Sequence, residues 1–109
     1  MADRVVKQVG APEDLVHKLK MHALSNKREL QDITDEAILD FFHEREEIKK
    51  KEHRAPDYIA SPTNAKDFNV RISKNIAAKV EKVAKEDDAT GRRLIYTGLL
   101  RYARRHKLL

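Results

Sequence analysis

The sequence predicts a mainly α-helical domain with a two-stranded antiparallel β-ribbon, and three observations support this fold class. Residues 67–72 alternate polar and apolar side chains, which is typical of a half-buried strand. Two segments with apolar side chains at helical spacing follow that strand. The same succession of apolar positions occurs upstream, so a partner strand is available within the chain. At 109 residues the chain is expected to form one domain, 1–109.

The upstream succession indicates an internal repeat with an offset of 61 residues, the distance from Val9 to Val70. Most aligned residues differ in identity, but the pattern of apolar positions is the same, as in a duplicated structural unit whose surface has diverged. We therefore expect a first unit at 4–53, a linker at 54–66 and a second unit at 67–109, sharing one core. The aligned apolar pairs include Val9 with Val70, Leu15 with Ile76, Leu19 with Val80, Ala23 with Ala84, Ile33 with Leu94, Ala37 with Gly98, Ile38 with Leu99, Leu39 with Leu100 and Phe41 with Tyr102.

The first unit is predicted to contain a strand and two helices. Residues 4–11 form the strand, because an inward set of Val5, Val9 and Ala11 leaves Gln8 outside. Pro12 suits the first turn of a helix that runs to about Asn26. Its apolar stripe is formed by Leu15, Val16, Leu19, Ala23 and Leu24.

A second helix is predicted from Leu30, with a wide apolar stripe that ends at Phe41 and Phe42. Residues 44–52 are charged nearly all round and predict a solvent-exposed extension of that helix. The linker follows, with two prolines and small polar residues, and we expect Tyr58 and Ile59 to attach it to the surface.

The second unit begins with the alternating strand, in which Phe68, Val70 and Ile72 are expected to face inward. Ser73 is predicted to cap the next helix. Thr90 is predicted to cap the last helix, whose first turn contains the adjacent Arg92 and Arg93. Arginines at a helix N-terminus oppose the helix dipole, so these residues indicate either a phosphate site or a tolerated surface mismatch.

The charge of the chain is unevenly distributed. Residues 1–61 contain 11 Lys and Arg against 13 Asp and Glu, a net charge of −2, whereas residues 62–109 contain 12 against 5, a net charge of +7. A local positive excess favours a polyanionic partner, with nucleic acid ahead of an anionic membrane, although a solvated basic surface has the same composition. With no cysteine, no signal-peptide pattern and no membrane-length apolar run, the protein is expected to be soluble and cytoplasmic.

The order strand, helix, turn, helix resembles the ribbon-helix-helix DNA-binding family that includes the Arc and MetJ repressors. Two stretches have the family's spacing in the second unit, 68–72 and 90–96, and residues 30–38 look like the second helix of other members. The resemblance implies two units whose strands pair into a ribbon that enters the DNA major groove. Here both units lie in one chain, so it implies a tandem ribbon-helix-helix pseudo-dimer.

The resemblance also implies site residues. The family's base-reading positions correspond to Val6, Gln8 and Gly10 in the first unit, and to Asp67, Asn69 and Arg71 in the second. Its phosphate-binding positions correspond to Thr90, Gly91 and Arg92, next to Arg93, and in the first unit to Glu29, Leu30 and Gln31. Glu29 departs from the hydroxyl cap usual in the family.

Together these expectations predict that the chain is a sequence-specific double-stranded DNA-binding protein, which acts as a transcriptional regulator in a bacterial cytoplasm. Tandem members also occur as accessory proteins of conjugative or T-DNA relaxosomes, and other members are antitoxins that bind a protein partner; both alternatives remain open. Further copies could occupy adjacent DNA sites. No catalytic constellation, metal site or cofactor is expected, since the five histidines are scattered, and the basic C-terminus offers little apolar area for a membrane surface.

Overall fold

The structure, a computed structural model, describes residues 4–109 and contains four helices and one two-stranded antiparallel sheet. The predicted class, mainly helical with a β-ribbon, is therefore confirmed. In chain order the elements are β1 (Arg4–Ala11), α1 (Glu13–Ser25), α2 (Leu30–Glu52), β2 (Lys66–Ser73), α3 (Lys74–Glu86) and α4 (Gly91–Arg105).

β1 and β2 form the ribbon, and its register pairs Arg4 with Ser73 at one end and Ala11 with Lys66 at the other. Alternation along each strand sends one set of side chains into the core and the other set to the opposite face. The inward set agrees with the sequence, and β2 is one residue longer at each end than predicted. Its buried members are Val9, Ala11, Val70 and Ile72, with Val5 and Phe68 half-buried beside them.

The boundaries of the helices have the 61-residue offset seen in the apolar pattern. α1 begins at Glu13 and α3 at Lys74, and both contain 13 residues. α2 begins at Leu30 and α4 at Gly91, again 61 positions apart. The helices of the two units thus start in the same register, although α2 continues for 23 residues and α4 for 15.

The turns after α1 and α3 have the same backbone conformation. Lys27 and Asp88, which are 61 positions apart, both adopt φ of 54° in the left-handed region. In each turn the following N–H reaches back to a helix carbonyl, as in a Schellman-type helix end. The two bonds are Arg28 N–H to Ala23 O at 2.9 Å and Ala89 N–H to Ala84 O at 2.8 Å.

The predicted hydroxyl caps are present in the second unit only. Ser73 Oγ accepts from the Ile76 N–H at 3.4 Å, and Thr90 Oγ1 accepts from the Arg93 N–H at 3.2 Å. α2 starts after Glu29, whose side chain makes no capping hydrogen bond. Hydroxyl caps contribute about 1 kcal/mol each, so α3 and α4 have a local stabilisation that α2 lacks.

α2 and α4 pack against each other in the centre of the core, where both have small residues. A Cβ on Gly98 would lie 3.4 Å from the Ala37 carbonyl oxygen and 3.5 Å from Phe41 Cβ. The two backbones can approach this closely because neither residue carries a large side chain. Core residues of both helices, including Ile33, Ile38, Leu94, Leu99 and Tyr102, are at most 1% exposed.

Two apolar residues assigned to buried stripes are instead exposed. Leu24 was expected inside on α1 and is 71% exposed, while Leu39 was expected to match the buried Leu100 and is 51% exposed. Leu24 follows the buried Ala23 and Leu39 follows the buried Ile38, and the helical rotation of about 100° per residue places both side chains outside the packed stripe. The other members of the aligned apolar pairs are buried.

The predicted charged extension of α2 contains a buried arginine, which corrects the expectation of a fully exposed surface. Arg45 is 4% exposed, and its Nε donates to Asp87 Oδ2 at 2.7 Å while Nη2 donates to Asp87 Oδ1 at 3.0 Å. Asp87 also accepts from the Tyr58 hydroxyl at 2.6 Å. Burial disfavours ionisation of Asp87, but the hydrogen bonds from Arg45 and Tyr58 outweigh that cost and hold its pKa below the ordinary value.

The linker is attached to the helices at Tyr58 and Ile59, as the sequence suggested. Burial and the hydrogen bond to Asp87 raise the pKa of Tyr58, so its hydroxyl stays protonated. The Ile59 N–H donates to Thr97 Oγ1 at 2.9 Å, which gives the buried Thr97 of α4 a partner. The segment between α2 and β2 therefore follows a defined path across the helices.

Two ion-pair positions between α2 and α4 have opposite signs in the two units. Arg105 Nη2 lies 2.8 Å from Asp40 Oδ2, and Arg101 Nε donates to Glu44 Oε2 at 2.6 Å. Asp40 and Arg101 are 61 positions apart, as are Glu44 and Arg105. Two copies of one unit packed in this way would oppose like charges, whereas the two different units oppose unlike charges.

Replacing Tyr58 with phenylalanine should lower the free energy of unfolding by about 1.5 kcal/mol, since the hydrogen bond to a charged group is removed. Urea unfolding followed by circular dichroism measures the change. The matched control is Tyr96→Phe, because Tyr96 is 4% exposed and its hydroxyl has no hydrogen-bond partner within residues 4–109. Equal effects of the two substitutions would contradict an anchoring role for the Tyr58 hydroxyl.

Replacing Asp87 with asparagine should cost about 2–3 kcal/mol near neutral pH, because the buried Arg45 guanidinium loses its bidentate carboxylate and keeps only the exposed Glu46 and Glu86 as charged partners. The pKa of Asp87 is lowered from 3.8 in the folded protein, so its stabilising contribution is complete above pH 3.8 and is lost as the pH falls below it. The difference in unfolding free energy between wild type and Asp87→Asn should therefore shrink in acid. A difference that stays constant down to about pH 2 would contradict this interpretation.

Replacing both Arg101 and Arg105 with glutamate should lower the free energy of unfolding by about 1–2 kcal/mol, because like charges then face each other across α2 and α4. Adding Asp40→Lys and Glu44→Lys restores unlike pairs with the signs exchanged. The fourfold variant should recover most of the stability. No recovery would mean that the arginines act through packing of their aliphatic stems.

Candidate nucleic-acid interface

The outward face of the ribbon brings together the six residues assigned to base reading. The register pairs Val6 with Arg71, Gln8 with Asn69, and Gly10 with Asp67, so they form three consecutive cross-strand pairs. Alternate positions on a strand share one face, which explains why positions 6, 8 and 10 of β1 and 67, 69 and 71 of β2 all lie on the outward face. Gly10 is half-buried and the other five are exposed.

The chemistry of this face changes along the ribbon. At one end the Arg71 guanidinium offers several donors beside the apolar Val6, which is 57% exposed. The central pair consists of two amides, each with donors and an acceptor. At the other end Asp67 offers only acceptors and Gly10 has no side chain. The backbone of the ribbon is regular, whereas its functional groups differ between its two ends.

The N-terminus of α4 lies beside β1. Thr90, Gly91 and Arg92 line a groove with Val6 and Gln8. The side chains of Thr90, Arg92 and Arg93 are exposed. The first N–H groups of a helix have no partner inside it, and the helix dipole favours an anion there. The four residues assigned to phosphate binding in the second unit therefore form one exposed, positively charged surface next to the ribbon.

A glutamate that sequence reasoning missed lies at this helix N-terminus. Glu81 of α3 pairs with Lys7 of β1, with 3.2 Å between Lys7 Nζ and Glu81 Oε1. A Cβ on Gly91 would lie 2.8 Å from Glu81 Oε1. The carboxylate thus occupies part of the space in front of α4 and neutralises one lysine. Nothing in the local sequence indicates this contact, because it joins three elements of the fold.

The N-terminus of α2 lies beside β2, the other strand of the ribbon. Leu30 and Gln31 line a groove with Asn69 and Arg71. Gln31 Nε2 donates to Glu29 Oε2 at 2.7 Å. The two residues assigned to phosphate binding in the first unit are therefore positioned next to the ribbon like those of the second unit. The N-cap residue of α2 is the acidic Glu29, however, and neither Leu30 nor Gln31 has a positive charge.

Two further residues that the sequence analysis did not select hold the Arg71 end of the ribbon. Arg4 Nη1 donates to Asp35 Oδ2 at 3.0 Å and to the Arg71 carbonyl at 3.2 Å. Asp35 Oδ1 accepts from the Ser73 N–H at 3.2 Å. Asp35 belongs to α2, so these bonds join both strands to the helix beneath them and orient the backbone that carries Arg71.

The opposite end of the ribbon is closer to electrical neutrality. Lys66 Nζ lies 2.9 Å from Glu13 Oε1. The hydrogen bond between these groups, together with their opposite charges, raises the pKa of Lys66 and lowers that of Glu13. Asp67 adds a negative charge nearby. An anionic ligand that follows the ribbon therefore meets its most favourable charges at the Arg71 end and beside α4.

Within residues 4–109 no group of three or more histidine and acidic side chains is arranged to hold a metal ion. None of the four helices there has both the length and the apolar character needed to cross a bilayer. Comparisons with protein-family models, with curated proteins and with solved structures give no match to this chain.

Proposed function

We propose that this chain is a single-chain ribbon-helix-helix protein, a tandem pseudo-dimer, which binds double-stranded DNA by inserting its ribbon into the major groove. The observation that carries the proposal is the pairing of Gln8 with Asn69. These residues are 61 positions apart, so a residue of one unit faces its own counterpart in the other. Counterparts meet in this way where a twofold axis passes through a symmetric dimer.

A second contact between counterparts supports the same axis. Ala37 and Gly98 are also 61 positions apart, and they lie where α2 and α4 approach each other most closely in the core. One contact belongs to the ribbon and the other to the helices. The proposed pseudo-dimer requires one axis through both contacts, and the identical φ of the turns at Lys27 and Asp88 agrees with it.

The dimensions and charge of this surface suit duplex DNA. The major groove is about 12 Å wide and admits a two-stranded ribbon. With the ribbon in the groove, the N-termini of α2 and α4 lie on its two sides, as two phosphate backbones require. Arg92 and Arg93 supply cations on one side, while on the other the N–H groups of Leu30 and Gln31 act without a cation.

The six outward residues suit base recognition in an asymmetric way. Arg71 can pair with guanine O6 and N7, and Gln8 and Asn69 can each pair with an adenine edge. Val6 can contact a thymine methyl group, and Asp67 can accept from a cytosine amino group. Gly10 offers no side chain. The preferred DNA is therefore an imperfect palindrome or an asymmetric site, since the two half-sites meet different side chains.

Binding of this kind acts by occupying a specific site, and we propose that the protein regulates transcription in this way. Selection of bound sequences from random duplex DNA at two salt concentrations tests the proposal. We expect one enriched motif with unequal halves. Absence of enrichment at both salt concentrations would overturn DNA recognition by this chain.

Replacing Arg71 with alanine should weaken binding to the selected site by about 1–3 kcal/mol, because one base pair no longer receives a bidentate hydrogen bond. Base substitutions in the Arg71 half-site should then have smaller effects than with wild type. The matched control is Arg104→Ala, which removes an exposed arginine near the C-terminal end of α4. Equal relaxation in both half-sites would contradict the asymmetric assignment.

Replacing both Arg92 and Arg93 with alanine should weaken binding to all sequences alike. The slope of log K against log salt should fall by about 0.9 for each phosphate that the variant no longer neutralises. The double variant Arg104→Ala/Lys107→Ala removes the same charge from the other end of α4 and should leave the slope closer to that of wild type. Identical slopes for the two double variants would argue against a phosphate site at the α4 N-terminus.

Replacing Glu81 with glutamine should strengthen binding to all sequences by about threefold, because a negative charge leaves the proposed phosphate site and Lys7 becomes available. Titration of a labelled duplex at moderate salt measures the change. Glu47→Gln, on the exposed side of the α2 extension, removes the same charge away from the ribbon. If both variants bind equally tightly, only net charge is involved.

A further inference from the structure

The linker crosses the outward face of the ribbon at the Gly10 end. The Ser61 hydroxyl donates to the Gly10 carbonyl oxygen at 2.6 Å. A Cβ on Gly10 would lie 3.3 Å from Ser61 Oγ and 3.5 Å from Ala65 Cβ. The space that a side chain at position 10 would fill is thus occupied by the linker, which explains why glycine is suited to this position.

A β-turn follows directly from Ser61 and returns the chain to β2. The Ala65 N–H donates to the Pro62 carbonyl oxygen at 3.0 Å and closes the turn. Pro62, Thr63 and Asn64 are all exposed. Thr63 and Asn64 are the central residues of the turn, so they form its exposed tip between Ser61 and Ala65, the two residues that lie against Gly10.

We propose that this turn is part of the DNA-contacting surface, with Thr63 and Asn64 taking the place of the missing side chain at Gly10. The inference rests on the proposed function, since it assumes that the outward face of the ribbon enters the groove. A duplex lying along that face meets Arg71 and Val6 at one end, the two amides in the middle, and the turn at the other end.

The chemistry of the two side chains suits this role. Asparagine can bond bidentately to an adenine edge, and threonine can bond to a base or to a phosphate oxygen. Neither adds a negative charge beside Asp67. The turn also belongs to the segment that joins the two units, so it adds contacts to one half-site only and increases the asymmetry of the preferred DNA.

The first test measures affinity for the duplex selected by wild type. The double variant Thr63→Ala/Asn64→Ala should bind about 5- to 20-fold more weakly, as expected when one or two hydrogen bonds are removed. Asn75→Ala is the matched control, because Asn75 is an exposed asparagine that lines a groove between α2 and α3. If the loss of affinity depends on which base pair of the duplex is substituted, the turn contacts bases. If the loss is the same for all duplexes, the turn contacts phosphates. Both results support the proposal.

The second test locates the turn on the DNA. The chain has no cysteine, so Asn64→Cys provides a single attachment point for a DNA-cleaving iron chelate. Cleavage should occur at the end of the site opposite to the base pair whose preference is relaxed by Arg71→Ala. The same chelate attached through Asn75→Cys should cleave the DNA weakly and should show no preference for that end of the site.

The outcomes separate the two proposals. If wild type selects no DNA, the proposed function fails. If wild type binds and Arg71→Ala weakens binding, the ribbon binds DNA. The role of the turn alone is then overturned if Thr63→Ala/Asn64→Ala binds like wild type and the Asn64→Cys conjugate cleaves no better than the Asn75→Cys conjugate.

Discussion

The pairing of β1 with β2 is the constraint on which the rest of the structure depends. An isolated two-stranded ribbon is marginally stable in water, and here its strands are separated by α1, α2 and the linker. The ribbon persists because its inward residues, such as Val9 and Val70, are buried against the helices. The helices in turn require this apolar cover. Ribbon and core are therefore expected to form cooperatively, and neither is expected to remain ordered alone.

The two units are similar in backbone and different in surface chemistry, and the reason is physical. Side chains in a close-packed core can change little in volume, so Ala37 and Gly98 must both be small where α2 and α4 approach each other. Exposed positions have no such restriction. Asp40 and Arg101 occupy equivalent positions with opposite charges, and each finds an opposite charge on the facing helix. The core preserves the repeat, while the surface distinguishes the units.

Periodicity predicted the elements well, because each strand and helix exposes a repeating pattern that can be read locally. The inward face of each strand also followed, since burial of Val9 and Val70 selects which alternate residues point into the core. The pairing of individual residues across the ribbon, such as Val9 with Phe68, was not predicted. Two features were not predictable in this way. Arg45 is buried because Asp87, far along the chain, provides its partner, and Glu81 reaches α4 only through the packing of α3.

The segment that joins α2 to β2 makes assembly of the two units a property of one molecule. A dimer of separate chains falls apart on dilution, whereas here the local concentration of one unit around the other is fixed by the chain. Folding of the two units onto each other is then first order, and its equilibrium does not depend on protein concentration. Each unit can also change its outward residues without imposing the same change on the other, so the two halves of the outward face can diverge independently.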